Sequence, residues 1–446
     1  MDLYEPEDFI VRDDTAAGEP NYLQTSKLAG LLEKWIESTY AVRRVVSGNL
    51  EGVERVKPPH EPGYSHVVSC LTVVMKILLV TYKRFDSQLV LSIASTAELI
   101  AFATNKAYEV EDFVVDNKCP GTWKLFWDVE KVSSMRESGW CPLEQYFLSK
   151  RDYSLQSLFY LSRLEKISPC RNHKDCDANR CIASQTNLSS QGARHQSKSC
   201  DGSCSWLPDD GKVWSHSLVD ILSRGKIPLL QVQGGNKLDE LKISVVESDS
   251  KSRYVAFSHV WADGLGNTTE NKLPRCQLQR LDSFAARLEK TARNQSNLAC
   301  LAERLENAST NDKDLDVQPH NQRLLLWINT MCCPAEEGEG KQLGLAAMRN
   351  IYLDAAFVLV IDSEVIEVSV SHPESGELDE EEIMARVYHS GWMRRLWTLQ
   401  EASLGRNLWV QFRDQVITIQ EKHLQISVKI IKAQDIMRHG LRVDML

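Results

Sequence analysis

The stretch YVAFSHVWADGLGN, residues 254–267, sets Ser258, His259, Trp261 and Asp263 side by side at the end of an apolar run. A hydroxyl, an imidazole, an indole and a carboxylate with two nearby glycines make one wall of a ligand site, or they simply close a strand. A second chemistry is open to His259. With Cys332 or Cys333 it could form a Cys–His pair in which the imidazole takes the thiol proton. The alternative is that Cys332 is a small core residue and His259 bonds locally.

A second group of reactive side chains lies upstream. CRNHKDCDANRCIASQTNLSSQGARHQSKSCDGSC places Cys170, His173, Cys176, Cys181, His195, Cys200 and Cys204 in one polar segment. Thiolate and imidazole are the donors of tetrahedral zinc, and metal binding supplies folding energy where a segment has too few apolar residues for a core. The expected ligands are Cys176, Cys181, His195 and Cys200, with His173 and Cys204 as substitutes. Their spacing matches no standard finger, so reduced, unliganded side chains are the alternative. Four protein ligands leave no open position for water, which makes such a zinc structural.

The elements that carry these groups follow from hydropathy. YVAFSHVW reads as a strand, residues 276–306 as helix, RLLLWIN as a second strand, and GLAAMRNIYLDAA as a helix with Leu345, Met348 and Tyr352 on one face. FVLVID is a third strand, and IMARVYHSGWMRRLWTLQEASLG reads as a closing helix. This β-α-β-α-β succession predicts an α/β fold with a parallel sheet flanked by helices. Ligands of such sheets gather outside the strands' carboxyl ends, here His259 to Gly266, Asn329 to Pro334, and Asp362.

Ahead of the sheet, residues 27–115 are rich in helix-compatible sequence, and YSLQSLFYLSRLEKI predicts a helix that stops before Pro169. The expected division is a helical region over 1–150, a helix with the Cys/His-rich segment and a linker over 151–250, the α/β domain over 251–412, and a tail over 413–446.

Composition narrows the partners. The chain has 446 residues, 43% hydrophobic and 25% charged, as in an ordinary multidomain globular protein. A net charge of -9 without a Lys/Arg cluster argues against nucleic acid. The start MDLYEPEDFIVRDD is unlike a secretory signal, and the apolar run Val67 to Val80 is interrupted by Lys76 and too short to span a membrane. The protein is therefore expected in the cytoplasm, with its cysteines as thiols or ligands instead of disulfides.

YVAFSHVWADGLGN, LLLWINTMCCP, MRNIYLDAAFVLVID and WMRRLWTLQEA, in that order, resemble the HET domain of fungal heterokaryon-incompatibility proteins. SGWCPLEQYFL, ILSRGKIPLLQV and NKLPRCQLQRL look like upstream pieces of larger proteins of that kind. The resemblance implies non-self recognition and regulated cell death. The chain departs from the family at Asn329, where an Asp is usual, and at the CCP that follows.

The HET domain in turn resembles the TIR domain, a flavodoxin-like α/β sheet, some members of which cleave the nicotinamide–ribose bond of NAD. There a glutamate following a tryptophan on a helix acts on the ribose; the equivalent residues here are Glu401 and Trp397. The resemblance therefore implies Glu401 as catalytic residue, and Ser258, His259, Trp261, Asp263, Asn329 and Trp397 around the substrate. The alternative places Glu401 in an exposed ion pair with Arg394 or Arg395, worth roughly 0 to 1 kcal/mol. At the level of function the alternative is a non-enzymatic assembly module with a degenerate site. Either reading requires self-association or a protein partner.

Overall fold

The computed structural model describes residues 10–11, 22–23, 62–81, 84, 87–108, 135–150, 153, 155–166, 168, 171–183, 193–196, 200–234, 238–306, 323–371 and 380–419. Among these, residues up to Ser138 with Glu144–Leu164 form one compact unit, and Gly139–Leu143 with residues from Glu165 onward form a second.

The first unit has a short antiparallel pair, β1 (Ile10–Val11) and β2 (Tyr22–Leu23), the helices α1 (Pro62–Thr81), α2 (Ser87–Tyr108) and α4 (Leu155–Arg163), and, from Glu144 onward, α3 (Pro142–Lys150). In α1, Leu71, Met75 and Leu78 recur at helical spacing and are buried against Val90, Leu91, Ala94, Ala97 and Ala101 of α2. The alanines keep side-chain bulk out of the interface, so the two helices pack closely. Leu155 joins this core from α4, and its backbone N–H donates to Glu98 Oε2 at 2.7 Å. Glu98 thereby satisfies an amide that the first turn of α4 leaves open. The helices expected within 27–115 are α1 and α2; residues 24–61 and 109–115 lie outside the described residues, as do 420–446 of the expected tail. Among the described residues, no helix is long and apolar enough to cross a membrane.

The second unit is built on a seven-stranded sheet. Its elements are β3 (Trp206–Leu207), α5 (Gly211–Ser223), β4 (Pro228–Gln233), β5 (Lys242–Glu247), β6 (Tyr254–His259), β7 (Leu273–Pro274), α6 (Arg275–Glu306), β8 (Leu325–Trp327), α7 (Asn329–Cys332), α8 (Glu339–Asp354), β9 (Phe357–Ile361), α9 (Glu380–Tyr388), α10 (Leu396–Leu404), β10 (Leu408–Gln411) and β11 (Val416–Thr418). The sheet order is β11-β10-β9-β6-β8-β4-β5, while β3 and β7 form a separate antiparallel pair. Strands β10, β9, β6 and β8 are parallel. Their connections run through α6, α8 and the α9–α10 segment, as parallel neighbours require. All six residues of β6 are buried, which fits a central strand covered on both faces.

The sheet departs from an all-parallel expectation at its edges. β11 pairs antiparallel with β10, and β4 pairs antiparallel with both β5 and β8. Two of these strands precede residue 250, in sequence read above as linker. β5 is half-exposed along most of its length, so KISVVE lacks the in–out alternation that reveals a strand. The expected closing helix is also divided. It consists of α9, a single 3-10 turn at Trp392–Arg394, and α10.

Candidate functional site

Strand register brings the chemistry to one edge. Ser258 lies opposite Val360 and His259 opposite Ile361, so the carboxyl ends of β6 and β9 finish together with Asp362 just beyond. On the other side Ala256 lies opposite Trp327, which brings Asn329 to the same edge. The chain leaves β6 for β8 on one side and later reaches β9 on the other. Such a switch point opens a crevice at the strand ends, where α/β sheets hold ligands.

A residue that the sequence reading did not single out occupies this crevice. The Arg171 side chain is fully buried. Its Nε and Nη2 donate to the two carboxylate oxygens of Asp263 at 2.8 and 2.7 Å, Nη1 donates to Glu364 Oε1 at 2.7 Å, and Nη2 reaches Asp362 Oδ2 at 3.2 Å. Lys166 stands 3.0 Å from Glu364 Oε2 and Arg394 3.3 Å from Oε1, so three cations face three carboxylates. Backbone amides complete the shell: Ser363 donates to Asp263, Glu364 to Asp362 Oδ1, and Trp392 to Asp362 Oδ2.

Burial and charge compete inside this cluster. Burial pushes the Asp362 carboxyl up to about 6 despite the pull of Arg171. Burial works against charge on Glu364 too, but the Lys166 and Arg171 cations outweigh it and hold that carboxyl below its ordinary value. The network also explains the broken closing helix. A Cβ on Gly391 would overlap the Arg171 guanidinium, and the Trp392 amide is committed to Asp362 instead of a helical carbonyl.

Beside this cluster lies Glu401. It is 8% exposed, and accepts a hydrogen bond from Ser258 Oγ, which in turn accepts from Trp392 Nε1 at 2.7 Å. The Tyr352 hydroxyl, which donates to the Phe257 carbonyl at 3.5 Å, acts on the same carboxyl. Burial raises the Glu401 carboxyl to about 7, against the opposing effect of Ser258, Tyr352 and Arg395. Glu401 is therefore an internal carboxyl and not the exposed partner of Arg394 or Arg395; Arg394 reaches Glu364 instead.

The other expected site residues divide. Ser258 and Glu401 meet, and His259 Nε2 lies 2.9 Å from Asn329 Oδ1. Asp263 is committed to Arg171. Trp261 packs over Gly266, where a Cβ would stand 2.8 Å from Trp261 Cβ, so that glycine makes room for the indole. Trp397 is 63% exposed, in contrast with buried Glu401 one turn later. Burial lowers His259 to about 4, so the imidazole is neutral at physiological pH.

The thiols do not fit the Cys–His alternative. Burial pushes Cys332 up to about 12 and Cys333 up to about 11, opposite to the shift an activated nucleophile needs. His259 takes Asn329 as its side-chain partner.

The Cys/His-rich segment forms two clusters, not one. Cys141, His173, Cys176 and Cys181 converge in the first, and His195, Cys200, Cys204 and Cys276 in the second, with all ligand atoms of each cluster within 4.8 Å of one another. Either cluster can hold a metal ion. The expected quartet is thus split: Cys176 and Cys181 belong to the first cluster, and His195 and Cys200 to the second. The completing cysteines, Cys141 and Cys276, are far away in sequence and were not among the expected ligands.

No curated protein and no solved structure matches the chain. Residues 254–382 match the family described as heterokaryon incompatibility protein (HET). The match starts at the first residue of β6 and spans β8, α8 and β9, ending within α9, so it includes Ser258, His259, Asp263, Asn329 and Asp362 and stops short of Trp392 and Glu401. On this match the chain carries a HET domain over residues 254–382, and that domain forms the centre of its sheet.

Proposed function

We propose that the protein is a cytoplasmic effector of fungal non-self recognition and regulated cell death that acts, once self-associated or bound to a protein partner, by cleaving the nicotinamide–ribose bond of NAD. The observation that carries this reading is Glu401, a buried carboxyl tied to Ser258 at the switch point of the sheet. The order β8-β6-β9-β10, which in chain order is second, first, third and fourth, supports a flavodoxin-like, TIR-like description of the domain. The described cysteines stand outside disulfides, in keeping with a reducing compartment.

The chemistry asks little of the protein. The C1′–N bond breaks heterolytically and its electron pair leaves with neutral nicotinamide, so no acid is needed. The ionised Glu401 carboxylate stabilises the oxocarbenium charge on the ribose. Water then adds at C1′ and releases a proton, giving ADP-ribose. Purified full-length protein should release nicotinamide from NAD, and Glu401→Gln should not. Wild-type protein that releases none when self-associated overturns the reading.

A second reading, a non-enzymatic assembly module, draws on two observations. Arg171 fills the crevice, and Trp397 presents a large exposed ring on the helix that bears Glu401. This reading expects Trp397→Ala to abolish self-association and Glu401→Gln to leave cell killing intact.

For the two Cys/His clusters we propose zinc. Its tetrahedral preference and affinity for thiolate and imidazole suit three cysteines and one histidine, and four protein ligands make it structural.

A further inference from the structure

We infer that the segment between Arg171 and Cys204 binds two separate zinc ions, and that the first of them seats Arg171 in the crevice of the HET domain. The inference rests on the assignment of zinc above.

The distances are those of tetrahedra. Zinc–sulfur bonds of about 2.3 Å and zinc–nitrogen bonds of about 2.0 Å imply sulfur–sulfur edges of about 3.8 Å and sulfur–nitrogen edges of about 3.6 Å. In the first cluster, His173 Nδ1 lies 3.6 Å from Cys176 Sγ and 3.7 Å from Cys181 Sγ, and the two sulfurs are 3.9 Å apart. In the second, His195 Nδ1 lies 3.6, 3.2 and 3.8 Å from Cys200, Cys204 and Cys276. Sulfurs 3.9 Å apart are far beyond the roughly 2.05 Å of a disulfide.

Both clusters carry the surroundings of metal thiolates. The amides of Ile182, Gly202 and Gln196 donate to the sulfurs of Cys176, Cys200 and Cys276 at 3.2, 3.4 and 3.3 Å. Such bonds orient thiolate ligands and offset their charge. Both histidines present Nδ1. Around the first cluster local bonds shape the chain: Cys176 N donates to His173 O, and Asn179 and Arg180 N donate to Asp177 Oδ1. A polar segment held in this way gains its order from the ion.

The two centres have different positions. The second closes on Cys276 in the first turn of α6, beside Arg194, whose N–H donates to Gly264 O and whose carbonyl accepts from the Gln277 side chain. The first closes on Cys141, and its ligand His173 is two residues from Arg171. An ion there fixes the backbone from which the guanidinium enters the carboxylates.

Elemental analysis of the full chain tests the inference. Wild type should hold two zinc ions per chain, and cobalt exchange should give tetrahedral thiolate bands for two centres. Cys141→Ser and Cys276→Ser should each retain one. In hydrogen exchange, the Ser363 and Trp392 amides should lose protection in Cys141→Ser and keep it in Cys276→Ser. One ion in wild type, two in either variant, or equal protection in both variants overturns the inference while zinc itself stands; no ion in wild type overturns the zinc assignment as well. Nicotinamide release reports separately on the catalytic reading.

Discussion

Arg171 holds Asp263 by two parallel hydrogen bonds, Nε to Oδ1 at 2.8 Å and Nη2 to Oδ2 at 2.7 Å. The pair joins the Cys/His-rich segment to the loop after β6, and Asp263 is thereby committed to structure. A planar guanidinium is suited to this task, because its fork meets one carboxylate with two bonds while the remaining nitrogen reaches others.

Removing that charge should cost more than any surface pair. Arg171→Met leaves Asp263, Asp362 and Glu364 buried with Lys166 and Arg394 as their remaining cations. Breaking a buried pair from one side costs about 3–5 kcal/mol, so urea denaturation should show a loss of that size for the second unit. Asp362→Asn on the Arg171→Met background should recover part of it, since burial already disfavours charge on Asp362.

Gly391 should tolerate no side chain. Its φ of -62° is ordinary helical backbone, so alanine carries no conformational penalty there; the obstacle is the guanidinium, whose atoms are the nearest that a Cβ would meet. Gly391→Ala should destabilise the protein by about 1–3 kcal/mol, the usual range for overpacking. The same change on the Arg171→Met background should cost much less, and a double-mutant cycle measures the difference.

How far the sequence disclosed this arrangement depends on the range of the signal. The strands YVAFSH, LLW and FVLVI and the helix bearing Tyr352 declare themselves through local periodicity, and their succession fixes the parallel core of the sheet. The edge pair β4–β5 does not, since its half-exposed residues look like linker. The metal donors were visible as a dense group, yet their division into two quartets depends on Cys141 and Cys276, which only the fold brings close. Arg171 carried no local mark at all: an arginine beside cysteines in a polar segment becomes meaningful only when Asp263, Asp362 and Glu364 converge on it. Ser258 drew attention at its strand end and Glu401 through the resemblance to TIR domains, but nothing local in the sequence marks the hydrogen bond between them.

Placing at 329 the Asp that the family resemblance implies should change His259. Asn329 offers a neutral oxygen 2.9 Å from Nε2, and burial holds the imidazole down to about 4. In Asn329→Asp a carboxylate takes that place, and an opposite charge at such range raises a pKa by about 1–3 units. NMR titration of the imidazole should therefore move its midpoint from about 4 toward the ordinary histidine range. An unchanged midpoint would show that the new carboxyl is itself protonated or turned away.

Glu401 should leave a signature in the pH dependence of stability, independent of any catalysis. Its carboxyl sits at about 7 in the folded protein against an ordinary value of 4.5, because burial favours the neutral form. Between those values the folded state binds the extra proton, so this group's contribution is fully present below pH 4.5 and is lost as pH rises through 7. The difference amounts to about 3 kcal/mol. Glu401→Gln keeps a neutral side chain of the same shape and should abolish this loss, so the gain of the variant over wild type should grow from pH 5 to pH 8. If Glu401 also acts on NAD, nicotinamide release by wild type should increase over the same interval, as the carboxylate forms. Parallel denaturation and release profiles would then report one ionisation twice, and a stability difference that does not vary with pH would mean that the Ser258-bonded carboxyl is already ionised in the fold.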